Sequence, residues 1–167
     1  EAIPLYEQTL TEQERVLGAD HPSTLTSRNN LAVAYNAAGR LAEAILLYET
    51  TLADSERVLG PGHPDTLCSR NNLAYAYNAA GRLAEAILLY EQTLTEQERV
   101  LGTDHPDTLC SRNNLAYAYN VAGRTAEAIP LYETTLADSE RVLGADHPHT
   151  EAFRDNLAIA RKRQASR

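Results

Sequence analysis

The chain of 167 residues contains no tryptophan, no methionine, one phenylalanine (Phe153), one lysine (Lys162) and two cysteines. No apolar run approaches the roughly 18 residues that a membrane span needs, so membrane insertion is not expected. There is no glycine-rich phosphate loop, and no serine, histidine and aspartate stand in a context of their own. Every candidate acid or base returns at the same place further along. Catalytic sites are singular, so neither enzyme activity nor a cofactor is expected. Nucleic acid would want a basic stripe repeated along the chain. The formal charge is instead −8, with a net of −4 over residues 1–20 and +3 over residues 147–167. At 43% hydrophobic and 23% charged, the composition is that of a folded chain.

Cys68 and Cys110 occupy equivalent positions one period apart, where Thr26 and Ala152 stand in the other units. Stacked repeats would hold them beyond the roughly 7 Å between Cα atoms that a disulfide spans. The opening EAIPLYEQTL carries acid where a signal peptide carries base. A reducing, cytoplasmic location is therefore expected, and the opening reads as a cut made in mid-repeat. The excess of arginine over a single lysine suggests a GC-rich bacterial genome.

Repetition is what the sequence has in abundance. His-Pro recurs at His21-Pro22, His63-Pro64, His105-Pro106 and His147-Pro148, each 42 residues after the last. Arg-Asn-Asn-Leu-Ala begins at Arg28, Arg70 and Arg112, and returns as Arg-Asp-Asn-Leu-Ala at Arg154. A fixed period of about 20 to 50 residues marks a stacked array, in which each unit buries its apolar face against a neighbour. The expected units are 21–62, 63–104 and 105–146, flanked by a half unit at 1–20 and a closing helix at 147–167.

Within residues 63–104, Pro64 suits a first helical position, with His63 or Asp65 near the cap. Leu73 and Tyr77, with Ala74, Ala76 and Ala80, follow at helical spacing, and Gly81 falls where a left-handed residue ends a helix. Leu83, Ala86, Ile87, Tyr90, Leu94 and Leu101 then give a second helix one apolar stripe, stopped by Gly102. Two antiparallel helices, A and B, repeated in this way make an all-α αα-solenoid.

The spacing of Leu73, Ala74, Tyr77, Gly81, Ala86, Tyr90 and Pro106 resembles that of the tetratricopeptide repeat, with eight extra residues in helix B. The pattern HPDT, NNLA, AYxxxGR, AEAI(L/P)LYE and LG is similar to the 42-residue kinesin-light-chain type, and to bacterial arrays of that type. The resemblance covers every unit and implies a right-handed superhelix with A helices lining a concave groove. It departs at Arg70 and its equivalents, where many tetratricopeptide repeats carry an aromatic residue or leucine, and at Arg161 and Ala165, which replace the tyrosine and glycine of earlier units.

At 100° per residue, Cys68, Asn71, Asn72, Tyr75, Asn78 and Ala79 cluster opposite Leu73 and Tyr77. By the resemblance, the groove presents the columns Asn29, Asn71 and Asn113; Asn30, Asn72, Asn114 and Asn156; Val33, Tyr75, Tyr117 and Ile159; and Asn36, Asn78 and Asn120. Asparagine offers a donor and an acceptor to a peptide backbone, and tyrosine a broad contact face. These same residues could equally bond or fill between neighbouring A helices. Arg28, Arg70 and Arg112 fit a structural pairing with a glutamate late in helix B, such as Glu56 or Glu98; the alternative is an arginine ladder for acidic ligands. The His-Pro histidines would lie roughly 16–20 Å apart, too far to share a metal.

Helix B alternates between EQTLTEQE and ETTLADSE, so its outer face repeats every 84 residues. Units two and three differ at eight of 42 positions, which favours a repetitive or extended protein or peptide partner. At the ends, Ile3, Tyr6 and Leu10 at the front and Phe153 and Leu157 at the back are expected to be uncovered. Head-to-tail self-association through them would form open chains of molecules, whereas Arg161, Lys162 and Arg163 would oppose it. The expected function is a scaffold that holds an extended peptide. An architectural rod and the sensor segment of a larger bacterial signalling protein are the alternatives.

Overall fold

The computed structural model describes residues 2–166. Eight helices and no strand occur among them: α1 (Ala2–Leu17), α2 (Pro22–Ala37), α3 (Leu41–Val58), α4 (Pro64–Ala79), α5 (Leu83–Val100), α6 (Pro106–Val121), α7 (Thr125–Val142) and α8 (Pro148–Ala165). The even-numbered helices are the A helices of the sequence pattern and the odd-numbered ones the B helices. None is long and apolar enough to cross a membrane.

Each A helix begins at a proline, whose fixed φ suits the helix and whose missing N–H would have no helical partner there. The histidine before it is the N-cap. Nδ1 of His21, His63, His105 and His147 accepts the backbone N–H of the residue two further on at 3.2 Å. This satisfies one of the helix's orphan donors and gives all four histidines a local role.

The A helix ends just as locally. Gly81 has φ +77°, a conformation that costs a side-chain-bearing residue about 1–2 kcal/mol. Its N–H reaches Asn78 O at 3.0 Å and that of Arg82 reaches Tyr77 O at 2.8 Å, the paired closure of a Schellman turn. The same turn is built at Gly39-Arg40 and Gly123-Arg124. It brings each arginine back over the tyrosine where the turn starts, with guanidinium to ring-centre distances of 4.2, 4.1 and 4.1 Å at Tyr35, Tyr77 and Tyr119. Cation–π stacking thus seals the corner.

The described residues form two compact units that divide between Arg82 and Leu83. In the first, α1 packs on α2, α2 on α3 and α3 on α4, and the A helices α2 and α4 touch directly. In the second, α5, α6, α7 and α8 pack in the same succession and α6 touches α8. The core of each is built from equivalent residues, among them Leu25, Ala32, Ala44 and Tyr48 in the first and Leu109, Ala116, Ala128 and Tyr132 in the second. Burying each leucine contributes about 1.5–3 kcal/mol.

One expectation about the ends is corrected. Phe153 and Leu157 are 2% and 5% exposed, because α8 turns its apolar stripe inward as it packs on α7 and α6. They are unavailable for an end-to-end contact. Ile3 and Leu10 on α1 are half-buried and Tyr6 remains exposed. By contrast Tyr48, the equivalent of Tyr6 on α3, is 2% exposed.

Candidate functional site

Each unit exposes a pair of large side chains on its two A helices. Val33 on α2 and Tyr75 on α4 are 44% and 53% exposed, and Tyr117 on α6 and Ile159 on α8 are 44% and 50% exposed. Tyr35, Tyr77 and Tyr119, two residues further along, point instead toward the B helices. Their hydroxyls donate to Oε1 of Glu7, Glu49 and Glu91 at 2.7, 2.7 and 2.5 Å. Burial, with Glu91 beside it, pushes the Tyr119 hydroxyl up to about 12, so it stays protonated and donating.

The asparagine columns divide between surface and interior. Asn72 Nδ2 donates to Asn29 Oδ1 at 3.4 Å, and Asn156 Nδ2 to Asn113 Oδ1 at 3.1 Å. Neighbouring A helices are thereby tied together by side-chain amides, the second being the better bond. Asn113 is 8% exposed and Asn120 4%. These two are corrected from groove-surface positions to interior ones. Thr125 stands where Leu41 and Leu83 stand in the other units, and its hydroxyl donates to Asn120 Oδ1 at 3.2 Å, which is why that amide can be buried. Asn30 is exposed, while Asn29, Asn36, Asn71, Asn72, Asn78, Asn114 and Asn156 are half-buried. The open part of the A helices is therefore Val33, Tyr75 and Asn30 in the first unit and Tyr117 and Ile159 in the second, with the remaining asparagines partly or wholly buried.

The arginines of the Arg-Asn-Asn motif are committed to acids of the B helices. Arg28 binds Glu14 at 2.7 Å and Asp54 at 2.9 Å. Asp54 also binds Arg57, which reaches Asp20 in the preceding turn at 2.5 Å. The same chain of ion pairs recurs 84 residues later as Glu98, Arg112, Asp138, Arg141 and Asp104. Arg70 binds Glu56 at 2.5 Å and Arg154 binds Glu140 at 2.8 Å. Arg28, Arg70 and Arg112 expose only 13%, 11% and 7% of their side chains, so they pack as structural ties. Asp20 and Asp104 are held below the usual carboxylate range by the hydrogen bonds from Arg57 and Arg141.

The first unit also carries a cleft of about 150 Å³ between α2 and α4. Thr26, Asn29 and Asn30 form one wall and Asp65, Cys68 and Ser69 the other, with Ser55 of α3 and its C-cap Leu59 as floor. Sequence reasoning missed it, although Cys68 was placed on the right face. Both cysteines are free thiols. Burial, with Asp107 nearby, pushes the Cys110 thiol up to about 11, so it is not a nucleophilic thiolate.

Helix pairs of one kind, capped alike and tied edge to edge, define an αα-solenoid scaffold that presents side chains on its A helices. The sequence pattern of the tetratricopeptide repeat matches residues 1–23, 24–65, 66–107 and 108–149, and the chain belongs to that family, whose repeats mediate protein–protein interactions. Among solved structures it is similar to a protein of Podosopora anserina assigned as a kinesin light chain with nearly identical TPR-like repeats. The identity is 38% over the whole of this chain and 79% of that one, with a TM-score of 0.83. A variant of that protein with methionine in place of one glutamine gives 0.85 at the same identity and coverage. BtubC (BKLC) of P. vanneervenii shares the fold, with a TM-score of 0.83 at 22% identity over 95% of this chain and 63% of that one. The chain is thus of the kinesin-light-chain-like type with repeats of about 42 residues. Comparison with curated proteins gives no match.

Proposed function

We propose that the chain is a non-catalytic scaffold that holds an extended peptide segment along its A-helix face. The observation that carries this reading is the pair Val33 and Tyr75 in the first unit and the equivalent pair Tyr117 and Ile159 in the second, each residue between 44% and 53% exposed. These large apolar side chains are absent from the hydrogen-bonded and ion-paired network that holds the helices. Exposed tyrosine gives broad contact area at low entropic cost, and Asn30 beside it supplies an amide for a peptide backbone. A peptide-display screen on the whole chain, repeated with Tyr75→Ala and Tyr117→Ala together, tests the reading. Enriched extended peptides that the double variant no longer binds, with its helix content and melting temperature unchanged, are expected. No enrichment, or peptides that bind the variant equally, would overturn it.

One observation favours an architectural reading instead. The Asn29–Asn72 and Asn113–Asn156 bonds are spent between A helices rather than offered to a ligand. If the screen fails with the fold intact, these ties and the open Tyr6 on α1 become the features to pursue.

A further inference from the structure

The two units are related by an 84-residue shift, and most of the cleft in the first recurs in the second. Leu25, Asn29, Asn30, Ser55 and Leu59 correspond to Leu109, Asn113, Asn114, Ser139 and Leu143. The wall on α4 is different. Asp65, Cys68 and Ser69 become His149, Ala152 and Phe153 on α8.

Phe153 is 2% exposed, with His149 stacked on it at 6.0 Å between ring centres. His149 in turn lies 3.8 Å from Cys110. Asn113 beside this packing is 8% exposed, whereas its counterpart Asn29 on the cleft wall is half-buried. In the second unit, then, a benzyl side chain on the last A helix packs where the first unit has a small serine and open space. A benzene ring fits a cavity of about 150 Å³; the volume here is about 150 Å³, with Pro22, Leu25, Leu59 and Cys68 as the apolar part of a lining that is otherwise polar.

We propose that the cleft between α2 and α4 is a side-chain pocket for a phenylalanine of the bound peptide, and that Phe153 is the chain's own filling of the corresponding place in the second unit. This rests on the peptide-scaffold reading and gives it a specificity. The ring enters between Leu25 and Cys68 toward the floor at Leu59. The flanking peptide backbone runs past Asn30 toward Tyr75. Indole is too large for the space and a methyl leaves it mostly empty.

The test uses the whole chain, isotope-labelled for amide NMR, and four N-acetylated, C-amidated peptides Gly-Ser-X-Ser-Gly with X as Phe, Trp, Leu or Ala. The Phe peptide is expected to shift the amides of Asn29, Asn30 and Ser69, and to bind at least tenfold more tightly than the Trp and Ala peptides. Ser69→Phe fills the cleft from within, so it should remove that preference while raising the melting temperature. Phe153→Ser opens the second cleft and should add Phe-dependent shifts at Asn113 and Asn114, which keeps the idea testable if Ser69→Phe folds poorly. Equal binding of the Phe and Ala peptides, an unchanged preference in Ser69→Phe, or no new shifts in Phe153→Ser overturns the pocket. If Tyr75→Ala weakens all four peptides alike while Ser69→Phe changes nothing, the scaffold reading stands and the pocket alone falls.

Discussion

Arg161 donates to Glu133 Oε1 at 2.7 Å, from the place on α8 where Tyr35, Tyr77 and Tyr119 stand on the earlier A helices. The aromatic residue is lost and the contact with the glutamate is kept. An arginine reaches the equivalent acceptor from an exposed position, its side chain being 58% open to solvent. Tyr119 makes its bond from a buried site, where a lost donor leaves a shielded acceptor. Tyr119→Phe should therefore lower stability by about 1 kcal/mol in urea titration. Arg161→Ala should cost clearly less in the same assay.

Arg112 is the most buried of the motif arginines and ties Glu98 to Asp138. Removing it takes the pairing arginine from Glu98, leaves Asp138 with Arg141 alone and empties the space that the buried aliphatic stem fills. Arg112→Ala is expected to destabilise by about 2–4 kcal/mol, near the lower end of the range for breaking buried pairs because both acids are partly open to water. Arg154→Ala, at a side chain 44% exposed, should have a smaller effect. Equal losses at the two positions, read by thermal melts, would contradict this division.

Acid should weaken the fold in a definite order. The carboxyls of Asp20 and Asp104 titrate below their ordinary range because Arg57 and Arg141 hydrogen-bond the charged form. A depressed folded-state pKa means that the stabilisation is complete above the unfolded carboxylate range, and that it is lost as pH falls toward and through the folded value. Melting temperature should hold near neutral pH and decline below the ordinary aspartate range. Arg57→Gln with Arg141→Gln should flatten that decline at low ionic strength, and salt should shrink the difference.

Pro130 lies inside α7, at the place that Leu46 and Leu88 occupy in α3 and α5. It withdraws one helical N–H and crowds the preceding turn. Pro130→Leu should stabilise the chain by about 1–3 kcal/mol, measured by chemical denaturation. The site is exposed, so no repacking should mask the gain.

How far the sequence could be read depends on the range of each interaction. The proline starts, the glycine φ of +77° at Gly81 and the helix pairs follow from neighbours a few residues apart, and all were legible. The Arg70–Glu56 pair was legible too, because an arginine on the core side of helix A needs an acid late in the preceding helix B. The fate of the asparagines was not. Asn113 and Asn120 are interior, with Asn156 and Thr125 donating to their amide oxygens, and a helical wheel drawn for one unit has no access to its neighbours. Phe153 misled for a related reason. The sequence leaves it at an uncovered end, whereas it packs inward. The tyrosine–glutamate bonds join residues 28 apart; a wheel gives the direction of those side chains but not their reach.

The ion-pair chain through Asp20 and Asp104 gives the array a grammar coarser than its helices. Position 62, midway between those aspartates, is glycine, and Arg99 turns to Glu96 on its own helix. A recombination event that dropped residues 63–104 or copied residues 21–62 would leave every helix in frame, yet it would set an ETTLADSE arginine against a glycine. An exchange of 84 residues would keep each arginine with its aspartate. Single-unit exchanges are then unequal in their cost to these pairs, according to which aspartate or glycine the arginine meets.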